Sequence, residues 1–367
     1  MTVTGIKEVA ARAGVSVGTA SRALSGNGSV AAPTRERVLA AAKELNFVRS
    51  YNASSLVTGR SRIIGVIVPS VDRWYFAKVV AGIGEELITV GYDLALYNIF
   101  GDRDHQDAVL GDFLMRQRLD AVLPVSLELT TEELTRMLSI RRPVVGIGGP
   151  MPGVPTIGID HFAAASLATG HLLGLGHRKI AHVSGGTDPY RDFKLTDQRQ
   201  AGFEHEMAKA GAPVRPEWII ASDFTVQDAY RKARTLLAMP ERPTAVFAAS
   251  DEMAIGVMLA ARDLGLQVPQ DLSVVGIDGH ELGETFGLTT IQQFPRKQGQ
   301  QAARRLLQKL SQTAAPSNGA VESGPVAGPG LQESPPLDDL HELISTDFLV
   351  RSSTAVPPSS ARVPGRR

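Results

Sequence analysis

"VSVGTASRALSG", Val15 to Gly26, has the spacing of an amphipathic helix without the surface of a solvated one. Ala20, Ala23 and Leu24, led in by Val15, recur at helical intervals and mark an inward face. The other face carries Ser16, Val17, Gly18, Thr19, Ser21 and Arg22 in place of the Lys and Glu pairs that usually line a water-facing helix. Flanking stretches complete a small helical unit. Ile6, Val9, Ala10 and Ala13 mark a helix before it, and Val38, Leu39, Ala42 and Leu45 mark one after it. Gly14 breaks the first two helices apart, and "SGNGS" (25–29) separates the second from the third.

Two short helices joined by a tight turn at Gly14, with the small Ala10 at their crossing, make a helix-turn-helix pattern. Small hydroxyl side chains let such a helix lie deep in a DNA major groove and donate to phosphates. The Arg22 guanidinium matches guanine O6 and N7, and the Val17 methyls match a thymine methyl. Charge agrees with this reading. Residues 1–60 hold eight Lys or Arg against three Asp or Glu, a net of +5 in a chain whose formal charge is zero. A basic head on a mildly acidic body points to an anionic partner for the head. Read alone, the stretch also fits a small-residue helix packed on another domain.

The 367-residue chain is long enough for two or three domains. It has no cysteine, so neither a disulfide framework nor a thiolate metal site is available. The N-terminal "MTVTGIKEVAARAG" lacks the layout of a signal peptide, and runs such as "IIGVIV" (63–68) are too short to span a bilayer. The expectation is a soluble cytoplasmic protein that needs no cofactor and has no membrane partner.

From Arg62 onward short β-rich runs alternate with helical stretches: "IIGVIV" 63–68, "DLALYN" 93–98, "DAVLPV" 120–125, "PVVGIG" 143–148, "IAHVSG" 180–185, "AVFAAS" 245–250 and "LSVVGID" 272–278. This alternation predicts parallel sheets covered by helices on both faces. The region exceeds what a single hydrophobic core usually holds, so two α/β lobes are expected. Ligands of such folds bind in the crevice at the carboxyl ends of the strands. Residues 312–339, rich in Pro, Gly, Ser and Ala, read as a disordered insertion; "LISTDFLVRSS" (343–353) reads as a last strand and the tail as disordered again.

"IKEVAARAGVSVGTASRALSGNGSV", "TRERVLAAAKELNF", "SSLVTGRSRIIGVIVPSV", "GHLLGLGHRKIAHVSG", "RQAGF", "PTAVFAASDEMAIGVMLAARDLGLQVPQDLSVVGIDG" and "LTTIQQ" together resemble the lactose-repressor (LacI/GalR) family of transcriptional regulators. The likeness covers the chain apart from 312–339 and the tail. It implies an N-terminal all-α helix-turn-helix head (1–49) and a hinge helix with linker (50–61). An α/β two-lobed, periplasmic-binding-protein-like (type I) core (62–355) and a tail (356–367) would follow. The implied protein is no enzyme. It is a homodimer that binds a pseudo-palindromic double-stranded operator and is released by a small-molecule effector, a carbohydrate by preference, although some relatives instead need the ligand to bind DNA and purine-sensing ones share the fold.

Carried over by position, Val17, Gly18 and Arg22 fall where the family reads bases, and Ser16, Thr19, Ser21 and Thr34 near its backbone contacts. "NASSLVT" (52–58) matches the hinge helix, with Ser55 and with Leu56 as the minor-groove wedge. Four positions depart from the pattern: Gly18 offers no side chain to a base, Ala31 removes a usual N-cap, Ser54 replaces an Arg, and Arg49 replaces a Pro. For the effector, the resemblance implies the turn Asp72, Arg73, Trp74, Tyr75 and Phe76, together with Arg199, Phe224, Ser250, Asp251 and Asp278. Phe76 is equally readable as core, Asp251 as a helix cap, and Arg199 with Asp278 as a structural ion pair.

Other chemistries find little support. His171, His177 and His182 span a helix, a turn and a strand, a poor spacing for one metal. "GIGGPMPG" (146–153) lacks the Lys-Ser/Thr of a phosphate loop, and no G-x-S-x-G elbow is present. A transport receptor for sugars and an α/β enzyme are the competing classes.

Overall fold

Gly14 takes up the left-handed conformation at φ 65°, and its N–H closes the first helix onto the carbonyls of Ala10 and Ala11. That single turn sets the two N-terminal helices against each other. The computed structural model describes residues 5–25, 29–47, 60–99, 107–113, 119–186, 193–312 and 340–358. The chain forms two compact units, Met1–Arg62 and Ile63–Arg367.

The first unit holds α1 (Ile6–Ala13), α2 (Val17–Ser25) and α3 (Ala32–Glu44) around Val9, Ala10, Ala20, Ala23, Val38 and Ala41. Ala residues at the crossings allow the close approach that so small a core requires. Leu39, expected inward, is 49% exposed, because α3 turns Val38, Ala41 and Ala42 to the core. No side chain caps α3 at Ala31, and Pro33 occupies the first turn, where its missing N–H costs nothing. The expected hinge residues Ser55 and Leu56 lie outside the described residues.

The second unit has two lobes. In the first lie β1 (Ile63–Val68), β2 (Asp93–Asn98), β3 (Ala121–Pro124), β4 (Gly146–Ile147) and β5 (Thr156–Gly158), with α4 (Trp74–Thr89) and α5 (Thr131–Leu138). The second holds α6 (His161–Gly174), β6 (Ile180–Gly185), α7 (Phe193–Lys209), β7 (Ile219–Ser222), α8 (Val226–Leu237), β8 (Ala245–Ala248), α9 (Asp251–Asp263), β9 (Ser273–Asp278), α10 (Leu282–Thr285) and β10 (Thr289–Gln292). Next, α11 (Pro295–Gln312) returns to the first lobe. Last come β11 (His341–Leu343) and β12 (Asp347–Leu349), one to each lobe.

Strands β2-β1-β3 pair in parallel, and bridges Val122–Val144 and Val125–Ile147 carry the order on to β4-β5-β11. The second lobe is one six-stranded sheet, β12-β10-β9-β8-β6-β7, antiparallel only at the β12 edge. Parallel strands need helical crossovers, so both faces are covered. Alternation sends Ile64, Val66 and Val68 to the face beneath α4 and α11, and Ile67 to the face beneath α5. In the second lobe Val246 and Val274 pack under α8 and α9, whereas Phe247 and Val275 pack under α6 and α7.

Two expectations need correction. The strand read at 143–148 is reduced to Gly146–Ile147 with a lone bridge at Val144; Pro143 has no N–H to donate, and Gly148 leaves the β region at φ 115°. The last strand read at 343–353 is two strands, because the chain there passes from one lobe's sheet to the other's. The expected insertion lies outside the described residues from 313 to 339. At the C-terminus, Pro357 lies against Gly176. Among the described residues no helix is long and apolar enough to cross a membrane.

Candidate functional site

In the first unit α2 presents the bare face expected of it. Ser16, Val17, Gly18, Ser21 and Arg22 are exposed, Val17 at 43%; Thr19 and Thr34 are half-buried. Ser16 Oγ accepts the Thr19 N–H at 3.1 Å and shares a hydrogen with the Thr19 hydroxyl at 2.9 Å, which caps the helix start. Arg22 Nε donates to the Gly18 carbonyl one turn back at 3.2 Å. A Cβ on Gly18 would meet only Ser16 Oγ, at 3.9 Å, so packing within the unit does not call for this glycine. Glycine in a helix costs roughly 0.5–1 kcal/mol relative to alanine. Here it leaves a shallow notch in the exposed face of α2.

In the second unit a cavity of about 90 Å³ lies between the lobes, where the carboxyl ends of β1, β3, β7, β8, β9 and β10 converge. Of the expected residues, Tyr75, Phe76, Arg199, Phe224 and Asp278 line it, as do Arg73 and Ser250. Three expected residues do not. Asp72 is bonded to the Ser70 hydroxyl, Trp74 stacks on His280 with centroids 4.6 Å apart, and Asp251 is sealed beneath the floor. The cap of α9 is Ser250, whose Oγ accepts the Met253 N–H at 3.2 Å; Asp251 is the first helical residue.

Ser126, Leu195, Glu252 and Gln293, with Pro69 and Ser70 after β1, complete the wall, and the sequence singles out none of them. Ser126 and Gln293 follow strand ends, the position where open α/β sheets bind ligands, and that rule was the available signal. Ser126 is a left-handed residue (φ 45°) at 6% exposure, its N–H on the Ile147 carbonyl and its hydroxyl without a hydrogen-bond partner among the described residues. Phe224 is also left-handed, at φ 64°. Each such residue costs on the order of 1–3 kcal/mol, and such strain gathers at binding sites.

Arg199, 2% exposed, donates to the Ala249 carbonyl and stands 3.2 Å from His161 Nδ1. Burial, then the Arg199 charge, holds His161 well below the usual histidine range, so the ring is neutral and accepts. Asp278 takes a hydrogen bond from Gln293 and another from the Asp251 N–H. Burial raises both aspartates, and for Asp251 the Asp278 charge adds to the rise. Burial, with Asp278 nearby, pushes Glu252 up to about 7 against the pull of Arg73 and the Trp74 N–H. Two arginines thus face carboxyls whose ionisation the site resists, and aromatic rings fill the space between.

The three histidines considered for a metal serve separate structural ends. His171 meets the Thr354 hydroxyl, and His177 bridges Thr244, Ser273 and the Ala355 carbonyl. His182 stacks between Phe203 and Phe247, pushed down to about 4 mainly by burial. Among the described residues no group of three or more His, Cys, Asp or Glu could hold a metal ion.

A helix-turn-helix head followed by a two-lobed α/β core with an interlobe cavity defines the class of protein. Residues 5–50 match the family described as bacterial regulatory proteins, lacI family, and residues 169–327 match the periplasmic binding protein-like domain. The HTH-type transcriptional repressor PurR of Haemophilus influenzae (strain PittEE) is 34% identical over 311 residues, 83% of this chain and 91% of that one. Its counterpart from Vibrio parahaemolyticus is 36% identical over 311 residues, with the same coverage. The chain belongs to the lacI family of bacterial regulatory proteins. Among solved structures, the Lac repressor dimer bound to operator and the anti-inducer ONPF superimposes with a TM-score of 0.77 at 25% identity, covering 96% of this chain and 100% of that one. The complex of the transcriptional regulator CelR with cellobiose gives 0.65 at 27% identity, covering 95% and 99%.

Proposed function

We propose that this protein is a transcriptional repressor that binds a pseudo-palindromic operator as a homodimer and is released by a small carbohydrate in the interlobe cavity. The observation that carries the reading is the makeup of that cavity. Arg73 and Arg199 oppose Glu252 and Asp278, and Tyr75, Phe76 and Phe224 supply rings. Carboxyls whose ionisation burial resists can both donate and accept, and with the arginines and rings they suit a neutral polyol, whose hydroxyls take the polar groups while its C–H faces lie on the rings. The Lac repressor dimer bound to operator and the CelR complex with cellobiose support the same assignment.

On the DNA side, α2 brings Val17, Gly18 and Arg22 to base edges, with Ser16, Thr19, Ser21 and Thr34 on phosphates. Ser55 and Leu56 belong to a hinge that kinks the operator centre. By linkage, an effector that weakens operator binding is itself bound more weakly by the operator complex, by the same factor.

Three rings would also accept a planar heterocycle, and the test covers both. Isothermal titration with cellobiose, ribose and hypoxanthine, repeated on Phe224→Ala, is expected to show a sugar bound by the native chain and lost in the variant. Binding of hypoxanthine alone would replace the carbohydrate by a purine base. Binding that survives Phe224→Ala would place the effector elsewhere.

A further inference from the structure

The start of α4, in the first lobe, touches the second lobe at four points around the mouth of the cavity. Arg73 Nη1 donates to the Phe224 carbonyl at 3.3 Å and Nη2 to the Asp223 carbonyl at 3.2 Å. The Trp74 ring stacks on His280, and its backbone N–H meets the Glu252 carboxylate. One turn later Lys78 pairs with Glu281 at 2.6 Å. The ring stacking and the ion pair hold the lobes together, and the Trp74 N–H reaches a carboxylate of the cavity wall. The Arg73 contact also acts on the shape of the cavity.

The carbonyls of Asp223 and Phe224 belong to the two peptide planes on either side of the Phe224 Cα. Pinning both planes to one rigid, planar guanidinium restrains the φ and ψ of Phe224 together. This residue needs such a restraint, because its left-handed backbone is one a bulky side chain rarely adopts. The second lobe also holds this turn. Asp223 Oδ1 takes the Thr225 N–H at 2.9 Å, and Asp228 takes the Asp223 N–H at 3.2 Å. The first holds the 224–225 peptide plane through its N–H and the second holds the Asp223 N–H, while Arg73 adds a hold on both carbonyls from across the cleft. The Phe224 ring meanwhile lies over Gly185, where a Cβ would come within 2.5 Å of Cε2, so the ring has one close-fitting seat.

We propose that Arg73 is a positioning residue. By reaching across the cleft to the carbonyls of Asp223 and Phe224 it makes the seat of the Phe224 ring depend on lobe closure, and so sets the affinity of the cavity for its ligand. The second half of that statement rests on reading the cavity as the effector site; the first half does not. A lysine in its place keeps the charge but lacks the fixed fork, and a glutamine keeps a single donor group.

The test is fluorine NMR of the full chain labelled with para-fluorophenylalanine, the Phe224 signal being assigned through Phe224→Leu. In the native chain one Phe224 signal is expected. In Arg73→Gln it shifts or splits while signals from the phenylalanines of the second-lobe core stay in place, and Arg73→Lys restores it only in part. Acrylamide quenching of tryptophan reports whether the lobes stay closed, since Trp218 is buried in its own lobe and Trp74 sits at the cleft. A Phe224 signal unmoved in folded Arg73→Gln overturns the proposal, as does full rescue by lysine. Cellobiose or ribose is then titrated into both chains. A sugar that moves the Phe224 signal of the native chain should bind Arg73→Gln about tenfold more weakly. Equal affinity overturns the link to binding. A signal that responds to Arg73 but to no ligand would instead count against the effector reading of the cavity and leave the coupling standing.

Discussion

The Thr290 hydroxyl donates to Asp251 Oδ1 at 2.7 Å, and the His280 N–H donates to Oδ2 at 2.8 Å. Asp251 therefore ties the start of α9 to β10 and to the loop after β9, below the cavity rather than within it. Thr290→Val leaves one carboxylate oxygen buried without that donor, which should cost about 1–3 kcal/mol of stability. Urea denaturation measures the loss, and ligand affinity should stay at the native value. A change in ligand selectivity with no loss of stability would return Asp251 to the binding wall.

Glu252 gives the cavity a pH signature. Its carboxyl is raised in the folded chain by burial and by Asp278, with Arg73 acting in the other direction. A raised acid contributes stability that is fully present below the unfolded pKa and is lost as pH rises through the folded one, about 7 here. Glu252→Gln imitates the protonated form and still offers an oxygen to the Trp74 N–H. Its melting temperature should match the native protein near about pH 4.5 and exceed it by a growing margin toward about pH 8. A constant difference across that range would show that Glu252 does not resist ionisation.

On α2 two substitutions separate folding from recognition. Gly18→Ala meets nothing closer than 3.9 Å. It should stabilise the head by about 0.5 kcal/mol while weakening operator binding, because the added methyl fills the notch facing the groove. Arg22→Ala should cost about 1–3 kcal/mol of binding and relax preference at one base position per half-site. Binding curves on a panel of single-base operator variants check both. A loss equal across all sequences would make Arg22 a phosphate contact.

The packing of α4 on α11 rests on two glycines. A Cβ on Gly82 would stand 2.1 Å from the Arg296 carbonyl, and one on Gly299 would stand 2.2 Å from that of Val79. Both obstacles are backbone, so the helices must part. Gly82→Ala should cost about 1–3 kcal/mol, read by denaturation; an unchanged midpoint would mean that the crossing is looser than these distances indicate.

The head and the alternating core could be read from the chain because their signals are local. Apolar period, the Gly14 break and runs such as "IIGVIV" need only a dozen residues of context. Strands β5, β7 and β10 escaped notice: "TIG" is three residues long, "IIAS" lies at an edge, and "TTIQ" is mostly polar, its threonines buried only in three dimensions. Between Val38 and Leu39 the helical period cannot choose an inward residue, and the three-helix packing decides it. The site divides in the same way. Tyr75, Phe76, Arg199, Phe224 and Asp278 sit in motifs that resemblance could place, whereas Ser126, Glu252 and Gln293 meet only because distant strand ends converge. Asp72 and Trp74 share the turn with Tyr75, but the start of α4 directs Trp74 onto His280 and Ser70 engages Asp72.

Sequence reading by the head is tested most directly by selecting bound duplexes from a random DNA library with this chain at fixed salt. Each sugar tested against the cavity is then added to the selected complex. A pseudo-palindrome with two equal half-sites is expected, bound as a dimer and released by a sugar that the Phe224→Ala protein cannot sense. Recovery of no common sequence, with binding that fades uniformly as salt rises, would mean that the head responds to backbone charge alone and would contradict a sequence-reading repressor.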